Sequence, residues 1–114
     1  MQIIRDEWGI PHILGKTDAD TAHGLAYANA EDDFATIQDV LLAVRGKLAS
    51  EAGLAMAPND YYVHLIRVWD GLDEKYATLD PKFRAVCQAY TDGLNLYASR
   101  HPKMLKRNLW PAKP

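Results

Sequence analysis

One cysteine, Cys87, stands in 114 residues. An internal disulfide is thereby excluded, and with it every small fold stapled by cystine bridges. No apolar run approaches the roughly 18–20 residues of a membrane-crossing helix, so no membrane span is expected. Thirteen Lys and Arg against fifteen Asp and Glu give a net charge of −2, with too little field to draw nucleic acid. The basic residues of the tail, Lys103, Lys106 and Arg107, are too few and lack the fold context to change that. The sequence has no G-x-G-x-x-G, phosphate loop, G-x-S-x-G, HExxH or Cys/His zinc spacing. Internal repeats and low-complexity tracts are also missing. The charged, patterned N-terminus is not a signal peptide, so export would depend on a leader removed upstream.

What is present is an ordinary globular mixture, 48% apolar and 25% charged, in a length that suits one domain with a modest core. The chain is organised around residues 18–53, a long helical segment or two helices joined near Asn29. Phe34, Ile37, Leu41, Val44 and Leu48 recur at steps of three and four, which places them on one helix face. Upstream, Ala22, Ala26 and Ala30 extend that face as a row of small residues that admits a second backbone at close range. Thr17 and Asp20 have the spacing of a capping box.

Residues 2–14 are two short runs broken by Gly9-Ile10-Pro11 and read as a β-hairpin. Two strands alone are marginal in water, so the hairpin is expected to join a larger sheet. Further helices occupy residues 59–99. Asn59 or Asp60 is placed to cap a helix over residues 61–69, whose Tyr61, Tyr62, Leu65, Ile66 and Trp69 cover more than one stripe. Such a helix is buried on several sides or meets another chain or a ligand. Residues 72–79 make a short helical turn. Asp80-Pro81 is a strong helix start, followed by Phe83, Val86, Cys87, Tyr90, Leu94 and Tyr97 on one side. Gly93 inside that helix costs about 1 kcal/mol relative to alanine, which predicts close packing there. Residues 100–114 carry Leu109 and Trp110 without periodicity and are expected to dock.

Candidate chemistry is sparse. Glu31, Asp32 and Asp33 are consecutive, point in different directions on a helix, and read as a solvated or salt-bridged face rather than a cation cage. His12 and His23 read as hydrogen-bonded structural residues, and Cys87 as a small hydrophobe with no base beside it. The residues alone describe a mostly α chain with an N-terminal β-hairpin and indicate no function.

Ordered motifs add to this. Arg5, Glu7, Gly9, Pro11, His12 and Ile13 spell R-x-E-x-G-x-P-H-I. Gly24, Tyr27, Ala28, Ala30 and Asp32 follow as G-x-x-Y-A-x-A-x-D, then Arg45-Gly46, then a helix over residues 89–97. In this order they resemble the start of the penicillin acylase family of N-terminal nucleophile hydrolases. The resemblance implies a precursor that cuts itself into a smaller α chain, a removed linker and a larger β chain. The nucleophile is then the new N-terminal Ser, Thr or Cys of the β chain, with its own α-amine as base. Oxyanion donors lie on that chain as well.

The present chain matches the α side, so no catalytic residue is expected in it. Its fold would be part of a four-layer αββα, α+β architecture completed by the β chain. Arg5, Glu7, Gly9, Pro11, His12, Gly24, Asp32, Arg45 and Gly46 would be structural, and Tyr27, Phe34 and Trp69 are candidates for a substrate pocket. The resemblance implies an N-acyl small-molecule substrate such as an acyl-homoserine lactone, a lipopeptide or a β-lactam. Residues 29–45 are nearer the acyl-homoserine lactone and aculeacin-type branch, which favours a long or aliphatic acyl group. No cofactor is expected in this chain, and calcium is an option for the assembled enzyme. Location would be periplasmic or secreted. The competing reading is a non-enzymatic helical interaction module.

Overall fold

The computed structural model describes residues 1–106 and 108–114, so Arg107 lies outside the described residues. Strands β1 (Gln2–Arg5) and β2 (Pro11–Leu14) pair antiparallel. They are followed by α1 (Asp18–Val44), α2 (Ala49–Ala52), α3 (Ala57–Leu65), α4 (Leu72–Thr78) and α5 (Pro81–Arg100). Short 3-10 turns at Leu54–Met56 and Pro102–Met104 complete the chain.

The hairpin turn is built on Asp6. Its Oδ1 accepts from the N–H groups of Trp8 and Ile10, both at 2.9 Å, and Gly9 takes φ +79° between them. Only glycine adopts that φ without a steric penalty. Ile13, opposite Ile3 in the register, lies on α1 where Gly24 leaves room; a Cβ there would stand 2.7 Å from the Ile13 side chain.

Helix α1 opens on Thr17, whose Oγ accepts from the Asp20 N–H at 3.1 Å. The Asp20 carboxylate reaches back one residue further than a capping box requires, to the Lys16 N–H. The helix is broken at Asp33, where φ −155° and ψ 73° leave helical space. Asp33 Oδ1 accepts from the Thr36 N–H at 3.1 Å, the bond of an N-cap to its N3 amide. Thus α1 is two helices joined at Asp33, four residues beyond the joint expected near Asn29. The Asn29 side chain faces α5 instead and donates to the Tyr90 hydroxyl, whereas the short Asp33 carboxylate competes for a local backbone amide.

The core lies between α1 and α5. Ala26, Ala30 and Phe34 pack against Leu94, Tyr97 and Ala98. Gly93 permits this: a Cβ would sit 2.4 Å from the His23 carbonyl oxygen, so only a glycine lets the two backbones meet. Beyond Phe34 the buried positions are Gln38 and Leu42, while Val44 is exposed and Leu48 half-buried. The stripe read through Val44 is therefore rotated, because the tail packs over the i+4 row that starts at Phe34. Phe83, placed by its spacing on the apolar side of α5, is also exposed.

The tail is pinned by Gln38. The amide Nε2 donates to the Met104 carbonyl at 3.0 Å, and Oε1 accepts from the Lys106 N–H at 2.8 Å and the Trp110 indole at 2.9 Å. Lys106 also pairs with Asp39, and Asn95 exchanges two hydrogen bonds with the Ala112 backbone. Leu109 and Ala112 are buried.

Helix α3 begins at Ala57 and ends at Leu65, earlier and shorter than the helix expected over residues 61–69. Pro58 sits in its first turn, and the chain leaves through Arg67 and Gly71, both with left-handed φ. None of α2, α3 and α4 buries a residue, and Leu54, Tyr61, Tyr62, Leu65 and Ile66 face outward.

Candidate functional site

The first motif gathers around Arg5. Its guanidinium donates to the Gly9 carbonyl at 2.8 Å and the Glu31 carboxylate at 3.1 Å, and pairs with Asp32 at 2.9 Å. Hydrogen bonds to Glu31 and then Asp32 hold it still more firmly protonated than a free arginine. This explains the acidic trio: Glu31 and Asp32 bind the hairpin, and Asp33 caps the second half of α1. The hydrogen bond to His12, with the Ile10 and Trp8 N–H groups, holds the Asp6 carboxyl below its ordinary range. Pro11 ends the turn as the first residue of β2. Glu7, the acid that the motif suggested, is exposed, and its neighbour Asp6 stitches the turn. An acid two residues ahead of X-Gly is the signature of a side-chain-capped turn and could have identified Asp6.

The second motif is the Arg45-Gly46 turn. Gly46 has φ +62°, and a Cβ there would stand 2.9 Å from His64 Nε2. Three side chains reach this end of α1. Asn59 donates to the Ala43 carbonyl at 3.0 Å, Trp69 Nε1 to the Val44 carbonyl at 2.8 Å, and His64 Nε2 lies 3.2 Å from the Gly46 carbonyl. They satisfy carbonyls that a helix end leaves without intrahelical partners. Asp60 accepts from the Leu48 and Ala49 N–H groups at 2.9 and 2.8 Å. Burial opposes its ionisation, yet these bonds and that from Asn59 outweigh it and keep the carboxyl below its ordinary range. Asn59 and Asp60 thus serve neighbouring elements rather than capping α3.

The three pocket candidates are not brought together. Phe34 is 2% exposed, inside the core, with its ring centroid 5.0 Å from Tyr97 and 5.1 Å from Trp110. Tyr27 borders an open polar pocket of about 550 Å³ with Arg5, Glu31, Asp32, Tyr97 and His101, and accepts from Arg100 at 3.0 Å. Trp69 carries the Arg45 guanidinium over its ring at 5.6 Å and borders a mainly apolar cavity of about 480 Å³ with Leu41, Val44, Leu72, Tyr76 and Cys87.

Among the described residues no serine, threonine or cysteine is hydrogen-bonded to a histidine: His12 faces Asp6, while His64 and His101 face backbone carbonyls. Among them, too, no three acidic, histidine or cysteine side chains gather as metal ligands. Glu31 and Asp32, the densest acids, are engaged by Arg5, so these residues do not fit a calcium cage. No helix of the described residues is long and apolar enough to cross a membrane.

The geometry is therefore that of two stitched turns on a helical scaffold, and its motifs are those of a known family. A sequence model of penicillin amidase matches residues 1–113. The chain belongs to the penicillin amidase family. Acyl-homoserine lactone acylase QuiP of Pseudomonas fluorescens (strain Pf0-1) is 25% identical over 109 residues, 96% of this chain and 13% of that protein. Penicillin G acylase of Escherichia coli is 25% identical over 100 residues, 88% of this chain and 12% of that protein. Penicillin acylase 2 proenzyme of Pseudomonas sp. (strain SE83) is 26% identical over 115 residues, 100% of this chain and 15% of that protein. The chain thus spans 12–15% of the length of these relatives. A thermostable penicillin G acylase from Alcaligenes faecalis shares the fold, with a TM-score of 0.80 at 23% identity over 95% of this chain and 59% of that one. Lactone and penicillin acylases alike stand at 25–26% identity, so they do not separate the branches.

Proposed function

We propose that this chain is the non-catalytic α portion of an acylase that hydrolyses the acyl amide bond of N-acyl small molecules. The nucleophile is the N-terminal Ser, Thr or Cys of a larger β chain, exposed by self-cleavage of a common precursor and using its own α-amine as base. The observation that carries this reading is the outward apolar face of residues 54–69 on a chain that matches a small fraction of its family relatives. Contiguous apolar surface of this kind marks a protein interface. The hairpin, two strands with unpaired outer edges among the described residues, supports the same reading as one margin of a larger sheet.

Within that assembly the substrate carries a long or aliphatic acyl group, in keeping with the wording of residues 29–45. Tyr27 and Trp69 are the members of the candidate set with surface to offer a ligand. Maturation through a precursor fits a periplasmic or secreted enzyme, and calcium, where used, would be held by residues outside this set.

Intact mass spectrometry of the non-denatured preparation tests the reading. The expected result is a second, larger chain beginning with Ser, Thr or Cys. A folded monomer with no coding sequence for such a partner downstream overturns it and leaves a helical interaction module. With the assembly in hand, hydrolysis of decanoyl over phenylacetyl amides is expected, and the opposite preference removes the aliphatic assignment.

A further inference from the structure

We infer that the open groove between the end of α1, α4 and α5 binds a medium-chain fatty carboxylate, its tail along Cys87 and its head on Arg45 and Lys113. The groove is an apolar trough of about 480 Å³, walled by Val44, Trp69, Leu72, Tyr76, Leu79 and Cys87. Its size and lining suit a small amphipathic molecule, for which such sites are mostly apolar with a few placed polar groups. Two further cavities, of about 360 and 620 Å³, adjoin it. Leu79 and Cys87 line the trough alone, Lys47 lines only the two adjoining cavities, and Arg45 and Lys113 line all three. The cations therefore stand where the apolar wall ends.

Trp69 joins the two ends. Its indole N–H is fixed on the Val44 carbonyl, its ring walls the trough, and the Arg45 guanidinium lies over that ring at 5.6 Å. Arg45 also donates to the Lys113 carbonyl at 3.4 Å, which holds both cations at one place. Among the described residues no carboxylate forms an ion pair with Arg45, Lys47 or Lys113. Two acids lie nearby. Asp60 is already bound by the Leu48 and Ala49 N–H groups, and Asp73 sets one negative charge against the three positive ones. The surplus is positive, so the head of an apolar guest here is an anion, and a carboxylate matches the guanidinium fork.

Cys87 is half-buried in the trough wall and is the only thiol in the sequence, so it reads out this groove whatever else the protein binds. The experiment is the rate of Cys87 alkylation by iodoacetamide, followed by mass spectrometry of its peptide, in the protein as purified with any partner it retains. Decanoate is expected to slow alkylation saturably, whereas acetate and uncharged decanol at the same concentrations do not. Octanoate, two methylenes shorter, should need about tenfold more ligand for equal protection. Lys113→Gln, which keeps the carbonyl that Arg45 uses, should weaken protection about two- to fivefold. Leu72→Glu, which puts a carboxylate in the trough, should abolish it. Lys82→Gln, in a different cavity beside Thr17, should change nothing. The inference is overturned if decanoate leaves the rate unaltered, if decanol protects as well, or if Lys82→Gln weakens protection as much as Lys113→Gln. It is equally overturned if Cys87 resists alkylation in the native protein without ligand yet reacts in urea, since protein then covers the groove.

Discussion

Gln38 and Trp110 lie 72 positions apart, and the indole N–H of one donates to the side-chain oxygen of the other at 2.9 Å. The same oxygen accepts from the Lys106 N–H, and the Gln38 amide donates to Met104, so one buried side chain closes the tail onto α1. Gln38→Leu keeps the volume and strands these three partners. A buried polar group left unpaired costs about 1–3 kcal/mol, and relaxation of the tail toward water recovers part of the sum. The expected loss is about 2–4 kcal/mol in urea unfolding, with a Tm lowered by roughly 10 °C or more. A change under about 0.5 kcal/mol would show that the tail does not depend on this residue.

Gly93→Ala opposes two effects. Alanine favours a helix over glycine by about 1 kcal/mol. The added Cβ, however, would stand 2.4 Å from the His23 carbonyl oxygen and must push α5 away from α1. Overpacking of that kind costs about 1–3 kcal/mol or more, and here the neighbour is backbone. Net destabilisation is expected in urea melts, and a stabilised variant would refute the close approach.

Arg5→Lys preserves charge and loses the planar fork that serves Gly9, Glu31 and Asp32 together. Hydrogen exchange of the amides paired between β1 and β2 is expected to quicken, while those of α5 stay unchanged. Unchanged exchange of the hairpin amides would show that the hairpin does not depend on the Arg5 fork.

The Asp33 cap carries a pH signature. The Thr36 hydroxyl and N–H bonds depress its folded pKa, so the stability it adds is present above the unfolded value of about 3.9 and is lost as pH falls through the folded value. Asp33→Asn retains a capping side chain that does not titrate. Its urea midpoint is expected to fall less than that of the wild type between pH 5 and pH 2.5, and parallel curves would contradict the assignment. Asp33→Ala, which removes the cap outright, should lower the urea midpoint at neutral pH as well.

Local rules read from the sequence found much of this. The helix that opens at Asp80-Pro81, the alanine row and the packing role of Gly93 were legible because periodicity, capping chemistry and glycine sterics act over a few residues. The break at Asp33 was less so, since Asn29 and Asp33 are equally able to interrupt a helix and the choice depends on Tyr90, 61 positions away. Gln38 was hidden for the same reason: a glutamine on an apolar row looks like solvent-facing filler until the tail is in place. At the candidate site the motif residues were visible as a pattern, but their work was not. Arg5 is a clamp on an acidic pair 26 and 27 positions on, and Asp6 rather than Glu7 shapes the turn. Trp69 was legible as apolar, and its polar edge, which bonds Val44, could be placed only by the fold.

The attachment of residues 59–69 to the end of α1 is written asymmetrically. Asn59, His64 and Trp69 contribute side chains, whereas Ala43, Val44 and Gly46 contribute backbone carbonyls, which every amino acid supplies. Mutational drift at positions 43 and 44 therefore leaves the attachment intact, and drift at 59, 64 or 69 erases it. Gly46 is the exception, because its φ and the nearby His64 ring both exclude a side chain. Recombining residues 59–69 with the core of a distant relative should thus demand a match at one joint residue and little else.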